Sequence, residues 1–312
     1  MRIVNTVLLL TCILAGCVCC TENTESSNPP VQTPPVETVK RVTVATWNVH
    51  HFFDTVCDSG ACQYGDFEKQ FSQAEYEGKT SLVANGIGGI DADIILLQEI
   101  EKESCLTDVY NSFVPGIYTD YAFGEIGMPA TVDVGILTRG KITALEKHRD
   151  KHSITLPDGS TKLIARELLQ AEITLNNGLE LTVFVTHLVS KATDPVGDRR
   201  LEEAKLCQQI VADYIAANPG RLVILGGDLN DYPDSAPMQA IEKDGLLVRS
   251  TEGMDPADYY TWQNSAAFDH LYYNAAFRQH LEKSERVCGT SAYSGYSDSD
   301  HCALKAVYRF DE

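Results

Sequence analysis

Eight short runs rich in Val, Ile, Leu and aromatic residues divide the chain and restrict the folds open to it. They are Val42 to Trp47, Ile94 to Gln98, Val134 to Thr138, Leu168 to Leu175, Leu181 to Thr186, Leu222 to Leu225, Phe268 to Tyr272 and Ala303 to Tyr308. Most are bounded by turn residues, the signature of strands. Between them, Leu201, Ala204, Cys207, Val211, Tyr214 and Ile215 recur every three to four residues and predict an amphipathic helix. Weaker helical patterns cover Ser81 to Ile90 and Ala236 to Lys243. The Leu168 and Leu181 runs flank Asn176-Asn177-Gly178, a hairpin signal. Strands interleaved with helices and hairpins predict an α/β domain with mixed sheets and helices outside. Residues 41 to 312 carry no second Pro/Gly/Ser-rich break and no internal repeat, so one large domain is expected.

The polar residues collect at the ends of these runs, where α/β enzymes build their sites. Asn48 follows the first run, Gln98 and Glu99 the second, His187 the fifth, and Gly226-Gly227-Asp228-Leu229-Asn230 the sixth. Asp269 precedes Leu271, and Asp300 and His301 precede the last run. Singly, each has an ordinary explanation as a solvated carboxylate, an Asx-turn or a loop hydrogen bond. Together they suit a hard cation, which takes carboxylate and amide oxygens and needs no cysteine. Carboxylates crowded without a cation would repel by about 4 kcal/mol per close pair at an intermediate dielectric.

These segments resemble the endonuclease/exonuclease/phosphatase superfamily of metal-dependent phosphodiesterases. The resemblance rests on ATWNV (45 to 49), LLQEI (96 to 100), VGILTR (134 to 139), AREL (165 to 168), VTHLVSK (185 to 191), GGDLND (226 to 231), FDHL (268 to 271) and SDSDHCAL (297 to 304), in the family's order. NVHHFFD (48 to 54) and DRRLEEAKL (198 to 206) are most similar to bacterial extracellular nucleases. The resemblance implies a four-layer α/β/β/α sandwich of two packed mixed sheets flanked by helices. It implies Glu99 as the main ligand of Mg²⁺, or of Mn²⁺ or Ca²⁺ in its place, with Asn48 beside it and Asp300 completing the network. Asp228 would orient or deprotonate the attacking water, held by Asn230. His187 and His301 would donate to phosphate oxygens, with Asp269 supporting His301. Where many relatives carry Asp or Asn two positions after the motif asparagine, this chain has His50, which favours one metal over two. His50 and His51 either touch substrate or pack at the strand end. Arg166, Arg199 and Arg200 are candidate phosphate contacts, with surface ion pairs to Glu167, Asp198 or Glu202 as the alternative.

The N-terminus adds an address. Arg2, an apolar run from Val7 to Leu14 and Leu14-Ala15-Gly16-Cys17 resemble a lipoprotein signal, with residues 1 to 16 removed and Cys17 lipidated. The apolar core is shorter than the roughly 20 residues of a membrane span. Residues 21 to 40 contain four prolines and no aromatic residue, so they read as a tether. Membrane attachment through the lipid, on the periplasmic face or cell surface, follows as an expectation. Of ten cysteines, six fall in the domain; Cys57 and Cys62 form the expected local pair, while Cys105, Cys207, Cys288 and Cys302 stay unassigned. No close Cys/His spacing supports zinc.

The net charge of −19 argues against holding nucleic acid by general electrostatics, though not against a substrate bound at a cation-neutralised cleft. The branch resemblance favours a monomeric nuclease acting on DNA or RNA. A phospholipase or sphingomyelinase of the same superfamily would show an exposed aromatic hairpin, for which Tyr259, Tyr260 and Trp262 are the clustered candidates. A catalytically dead surface protein would have lost a motif residue, and none is lost apart from the change at His50.

Overall fold

The computed structural model describes residues 39–112, 116–289 and 298–311. The expected signal, Cys17 and most of the tether lie outside these residues.

In chain order the strands are β1 (Val39–Phe52), β2 (Ile94–Ile100), β3 (Asp120–Phe123), β4 (Asp133–Thr138), β5 (Lys141–Lys147), β6 (Ile154–Thr155), β7 (Thr161–Lys162), β8 (Leu169–Thr174), β9 (Glu180–His187), β10 (Leu222–Asp228), β11 (Leu247–Arg249), β12 (Asp269–Asn274), β13 (Leu281–Val287) and β14 (Ala303–Asp311). The helices are α1 (Gln73–Ile90), α2 (Glu103–Ser112), α3 (Asp198–Ala217) and α4 (Ala236–Ile241). One mixed sheet runs β13-β14-β1-β2-β4-β3, the other β11-β12-β10-β9-β8-β5, and β6 pairs with β7 in a small ribbon.

Alternation along the strands produces the layers. Val42, Val44 and Leu96 of the first sheet share a core with Val183, Val185, Ile224 and Leu271 of the second. The opposite face of the first sheet, with Ala45, Trp47, Ile95 and Leu97, packs on Val83, Ile87 and Leu106 of α1 and α2. The outer face of the second sheet, with Phe184, Val223 and Leu225, packs on Ala204, Cys207, Val211 and Met238 of α3 and α4. The interior strands are buried on both faces, their alternate residues facing the central core or a helix layer, and with a helical stripe on the helices this gives the four-layer α/β/β/α sandwich.

The eight apolar runs are the eight interior strands. Of the six unread strands, β3, β5, β11 and β13 are the edges of the two large sheets, and β6 and β7 form the small ribbon. Edge strands are short or carry charged, exposed residues, and Lys141–Lys147 is exposed at nearly every position. Helix α1 begins eight residues before the expected Ser81. Ser72 caps it reciprocally with Glu75, donating Ser72 N–H to Glu75 Oε2 at 2.7 Å. Helix α2 carried no recognised signal. Cys57 bonds Cys62, as expected; Cys288 bonds Cys302, while Cys105 and Cys207 are reduced and buried. Among the described residues no helix is long and apolar enough to cross a membrane.

Candidate active site

Strand pairing brings the site together. In the second sheet Asp228 is the register partner of both His187 on β9 and Asp269 on β12. Residues directly opposite on neighbouring strands share a face, so three chemically useful side chains converge at one end of the sandwich. The glycines before Asp228 permit this. A Cβ on Gly227 would sit 1.8 Å from the Thr186 carbonyl oxygen, and one on Gly226 would sit 2.8 Å from Leu96 Cδ1 of the facing sheet.

The first sheet contributes the rest through a bulge. Asn48 pairs with Gln98, but the next pair is Phe52 with Ile100, so β1 carries extra residues where β2 has only Glu99. His50, His51 and Glu99 all adopt positive φ, of 58°, 48° and 66°. Such backbone persists where surrounding contacts enforce it, and it concentrates at functional sites. Here the His51 N–H donates to Glu99 Oε2 (2.8 Å) and the His50 N–H to Asn48 Oδ1 (2.9 Å).

Asn48 Nδ2 bridges the sheets, donating to Glu99 Oε1 (2.9 Å) and Asp228 Oδ2 (3.0 Å). Its oxygen is engaged by its own loop, so Asn48 acts here as a donor between two carboxylates. Asn230 holds Asp228 as expected, with its backbone N–H rather than its amide, at 2.9 Å. The amide instead donates to the Leu188 carbonyl. His301 Nδ1 lies 2.7 Å from Asp269 Oδ2, which directs Nε2 toward Asp228 Oδ2 at 3.7 Å. His187 Nε2 lies 3.5 Å from the same oxygen.

The two histidines titrate in opposite directions. Burial drives His187 down to about 3, and its Nδ1 has no hydrogen-bond partner among the described residues. Burial also opposes charge on His301, but Asp269 and Asp228 outweigh it and hold the imidazolium well above its ordinary range. Burial raises Asp228, with Asp269 adding to the rise and His301 opposing it. Glu99 is held low because neighbouring imidazoles and the Asn48 amide overcome its burial. At neutral pH the Glu99 and His187 pair therefore carries one negative charge.

Ligand atoms of Glu99, His187 and Asp228 lie within 4.8 Å of one another, as do those of Asp228, Asp269 and His301. Glu99, Asp228 and Asp269 face one cationic imidazole, and Asp269 Oδ1 has no hydrogen-bond partner among the described residues. Negative charge in excess and a hard-oxygen donor set fit a divalent cation held by Glu99 and Asp228. Asp300 stands outside this tight group. Its Oδ1 is 3.9 Å from His301 Nε2, and its Oδ2 accepts the Trp262 indole N–H at 2.9 Å.

Above this floor opens a cleft of about 900 Å³ whose wall includes Arg149, Lys162, Arg166, Lys191 and Arg199. Arg166 donates Nε to the Val132 carbonyl and Nη1 to the Ala165 carbonyl. Arg199 pairs with Glu203 at 2.9 Å. Arg200, expected at a phosphate, is instead 2 % exposed and bound to Asp231 at 2.8 Å and to the Val189 and Asp194 carbonyls. An ion pair buried behind the cleft leaves it no reach to substrate. His50 and His51 line the cleft, as do Trp262, Phe268 and Tyr232. Trp262 stacks on Phe268 with ring centroids 5.3 Å apart, and Lys191 Nζ lies 5.0 Å from the Tyr232 ring centre.

Two supporting residues went unread. Buried Glu203 of α3 accepts the Ala165 and Val189 N–H groups (2.8 and 2.9 Å), tying down both loops beside the cleft. Buried Ser299 donates Oγ to the Asn48 carbonyl (2.7 Å) and accepts the His301 N–H (2.9 Å), joining the two motifs. Both lie inside quoted motif segments, so a signal was present. Their burial was not.

A model of the Endonuclease/Exonuclease/phosphatase family matches residues 45–301. A 5'-tyrosyl-DNA phosphodiesterase of Caenorhabditis briggsae is 25% identical over 174 residues, which are 51% of this chain and 47% of that protein, so the match spans about half the relative's length. Among solved structures, an endonuclease/exonuclease/phosphatase family protein from Bacteroides thetaiotaomicron superposes with a TM-score of 0.61 at 20% identity, covering 88% of this chain and 99% of that one. A mannosyl-6-phosphatase from the same organism superposes at 0.60 with 18% identity, covering 86% and 99%. With the family model spanning all the convergent side chains, the chain belongs to the Endonuclease/Exonuclease/phosphatase family and is one of its divalent-metal-dependent hydrolases.

Proposed function

We propose that the protein is an exported, lipid-anchored, monomeric phosphodiesterase that uses Mg²⁺ to cleave nucleic acid, seating an unpaired strand along the cleft wall. The observation that carries this reading is the charge distribution. In a chain of net charge −19, Arg149, Lys162, Arg166, Lys191 and Arg199 line one cleft over a carboxylate floor. Cations that track a phosphate backbone beside aromatic faces are the ordinary means of binding single strands. The 5'-tyrosyl-DNA phosphodiesterase relative is named for a DNA substrate, which agrees.

Glu99 and Asp228 would hold the cation, with Asn48 between them. When bound, it supplies positive charge to the phosphate oxygens as the transition state gathers negative charge. Asp228 orients water for in-line attack and takes its proton. His301 donates from Nε2 to a non-bridging oxygen, its ring fixed by Asp269, and His187 donates beside it. Leu188, Val189 and Phe268 add apolar surface to the lining of the cleft.

The lipase-like alternative loses its main feature. Tyr259 is 1 % exposed, and Trp262, at the foot of the tight turn that closes on Ala266, stacks on Phe268 in the cleft wall. The test is to supply single-stranded DNA, RNA, plasmid, sphingomyelin and a hexose 6-phosphate, each with Mg²⁺ and with EDTA. Metal-dependent cleavage of the polynucleotides that vanishes in Asp228→Ala supports the proposal. Turnover of the lipid or sugar phosphate alone overturns it.

A further inference from the structure

A second group of carboxylates lies two residues beyond Glu99, outside the catalytic constellation. Residues 54 to 68 form a loop closed by the Cys57–Cys62 bridge, and it folds back over the end of β2. Oxygens of Asp58, Glu68 and Glu101 lie within 4.8 Å of one another. Donors on one shell of radius about 2.4 Å, the Ca²⁺ distance, are at most about 4.8 Å apart, so this spacing is compatible with a single ion. Asp54 stands beside them, its N–H donating to Glu101 Oε2 at 2.7 Å.

The second observation is an orphaned atom. Glu101 is 3 % exposed, yet its Oε1 has no hydrogen-bond partner among the described residues. A buried carboxylate oxygen without a donor is costly and calls for a partner. Glu68 is also buried, at 1 %, and receives the Asp58 and Ser59 N–H groups at 2.6 and 2.8 Å. Lys102 contributes the nearby ammonium, bound to Asp54 and Asp58 at 2.7 and 2.6 Å. Asp54, Asp58 and Glu68 against the one ammonium of Lys102 already leave negative charge in excess, before Glu101 is counted, and a dication would offset it.

We propose that Asp58, Glu68 and Glu101 form a second divalent-cation site, of Ca²⁺ type, that braces the disulfide-closed loop against β2. Ca²⁺ suits it better than Mg²⁺, because loop-borne carboxylates from separate segments meet the larger ion's irregular shell more readily than a strict octahedron. The consequence reaches the cleft. Phe67, next to Glu68, lines the cleft and packs on His51 and Phe53 with ring centroids 5.2 and 5.7 Å apart. A cation here would hold that part of the wall in place.

The test is thermal unfolding and limited proteolysis of the purified protein carrying Asp228→Ala, which disables the catalytic cation site, with CaCl₂ or MgCl₂ at fixed ionic strength. Millimolar CaCl₂ is expected to raise Tm by about 3 °C or more and to slow cleavage within residues 54 to 71, MgCl₂ doing so less. Adding Asp58→Asn, an exposed and conservative change, removes both effects. Lys102→Gln, which removes a competing cation, brings the shift at lower CaCl₂. The proposal is overturned if CaCl₂ leaves Tm unchanged in Asp228→Ala, or if the shift survives Asp58→Asn intact.

Discussion

The floor and the wall of the cleft differ in charge and in origin. The floor is acidic and built at strand ends: Glu99, Asp228 and Asp269 sit where β2, β10 and β12 meet the cleft, and His187 closes β9. The wall is cationic and built from connections and their short elements: Arg149 precedes the small β6-β7 ribbon and Lys162 ends it, Lys191 follows β9, and Arg199 opens α3. Strand ends are fixed by register, so the floor is suited to chemistry that tolerates little misplacement. Connections vary more readily, so the wall is suited to choosing a substrate. Damage to the floor should therefore appear in kcat and damage to the wall in KM.

The largest effect is expected from the floor. Asp228→Ala removes the water-orienting carboxylate and a cation ligand, and should lower kcat on the order of 10³- to 10⁴-fold with the fold intact by circular dichroism. A mutant with unchanged kcat and raised KM would place Asp228 in binding and erase the division. Next is Asp269→Asn, expected to cost on the order of 10²-fold in kcat. Its pH profile sharpens the point. Asp269 raises the His301 imidazolium, so a step needing that proton persists until pH exceeds the raised value. Without Asp269 the value falls, and the alkaline limb should move to lower pH. A limb that stays in place would detach the histidine from the rate-limiting proton.

Smaller changes are expected from the wall. Arg166→Ala combined with Lys191→Ala should raise KM for polynucleotides about 10-fold and lower the salt slope by roughly 1 per lost phosphate contact, with kcat nearly unchanged. Steady-state kinetics over a salt series checks this. Smallest is Tyr232→Ala, which removes a half-exposed ring beside Phe268. It should weaken binding of single strands by about 1 kcal/mol and leave a small chromogenic diester unaffected. Equal losses on both substrates would mean that Tyr232 supports the floor instead.

The same contrast explains what could be read from the residues alone. Interior strands alternate apolar residues that reach helices or the facing sheet, so all eight were visible as runs, and their polar ends marked the floor. The four edge strands were invisible for a physical reason. Lys141–Lys147 and Leu281–Val287 show charged side chains to solvent and have the composition of an exposed helix as much as of a strand. The bulge at His50 and His51 was unreadable because positive φ is uncommon even for histidine, which tolerates it better than most residues; contacts with Glu99 and Asn48 impose it. Arg200 misled because helix position alone cannot tell a guanidinium facing the cleft from one buried against Asp231. Beyond the expected Cys57–Cys62 bridge, the four unassigned cysteines form one more, Cys288–Cys302, since Cys105 and Cys207 belong to cores on opposite faces of the sandwich.

The central claim is that one cation sits between Glu99 and Asp228, within reach of both histidines. A crystal soaked in Mn²⁺ and measured at the manganese absorption edge locates it directly. An anomalous peak touching both carboxylates is expected, lost in Glu99→Gln together with polynucleotide cleavage. No peak there in protein that cleaves DNA under the same Mn²⁺ would contradict it.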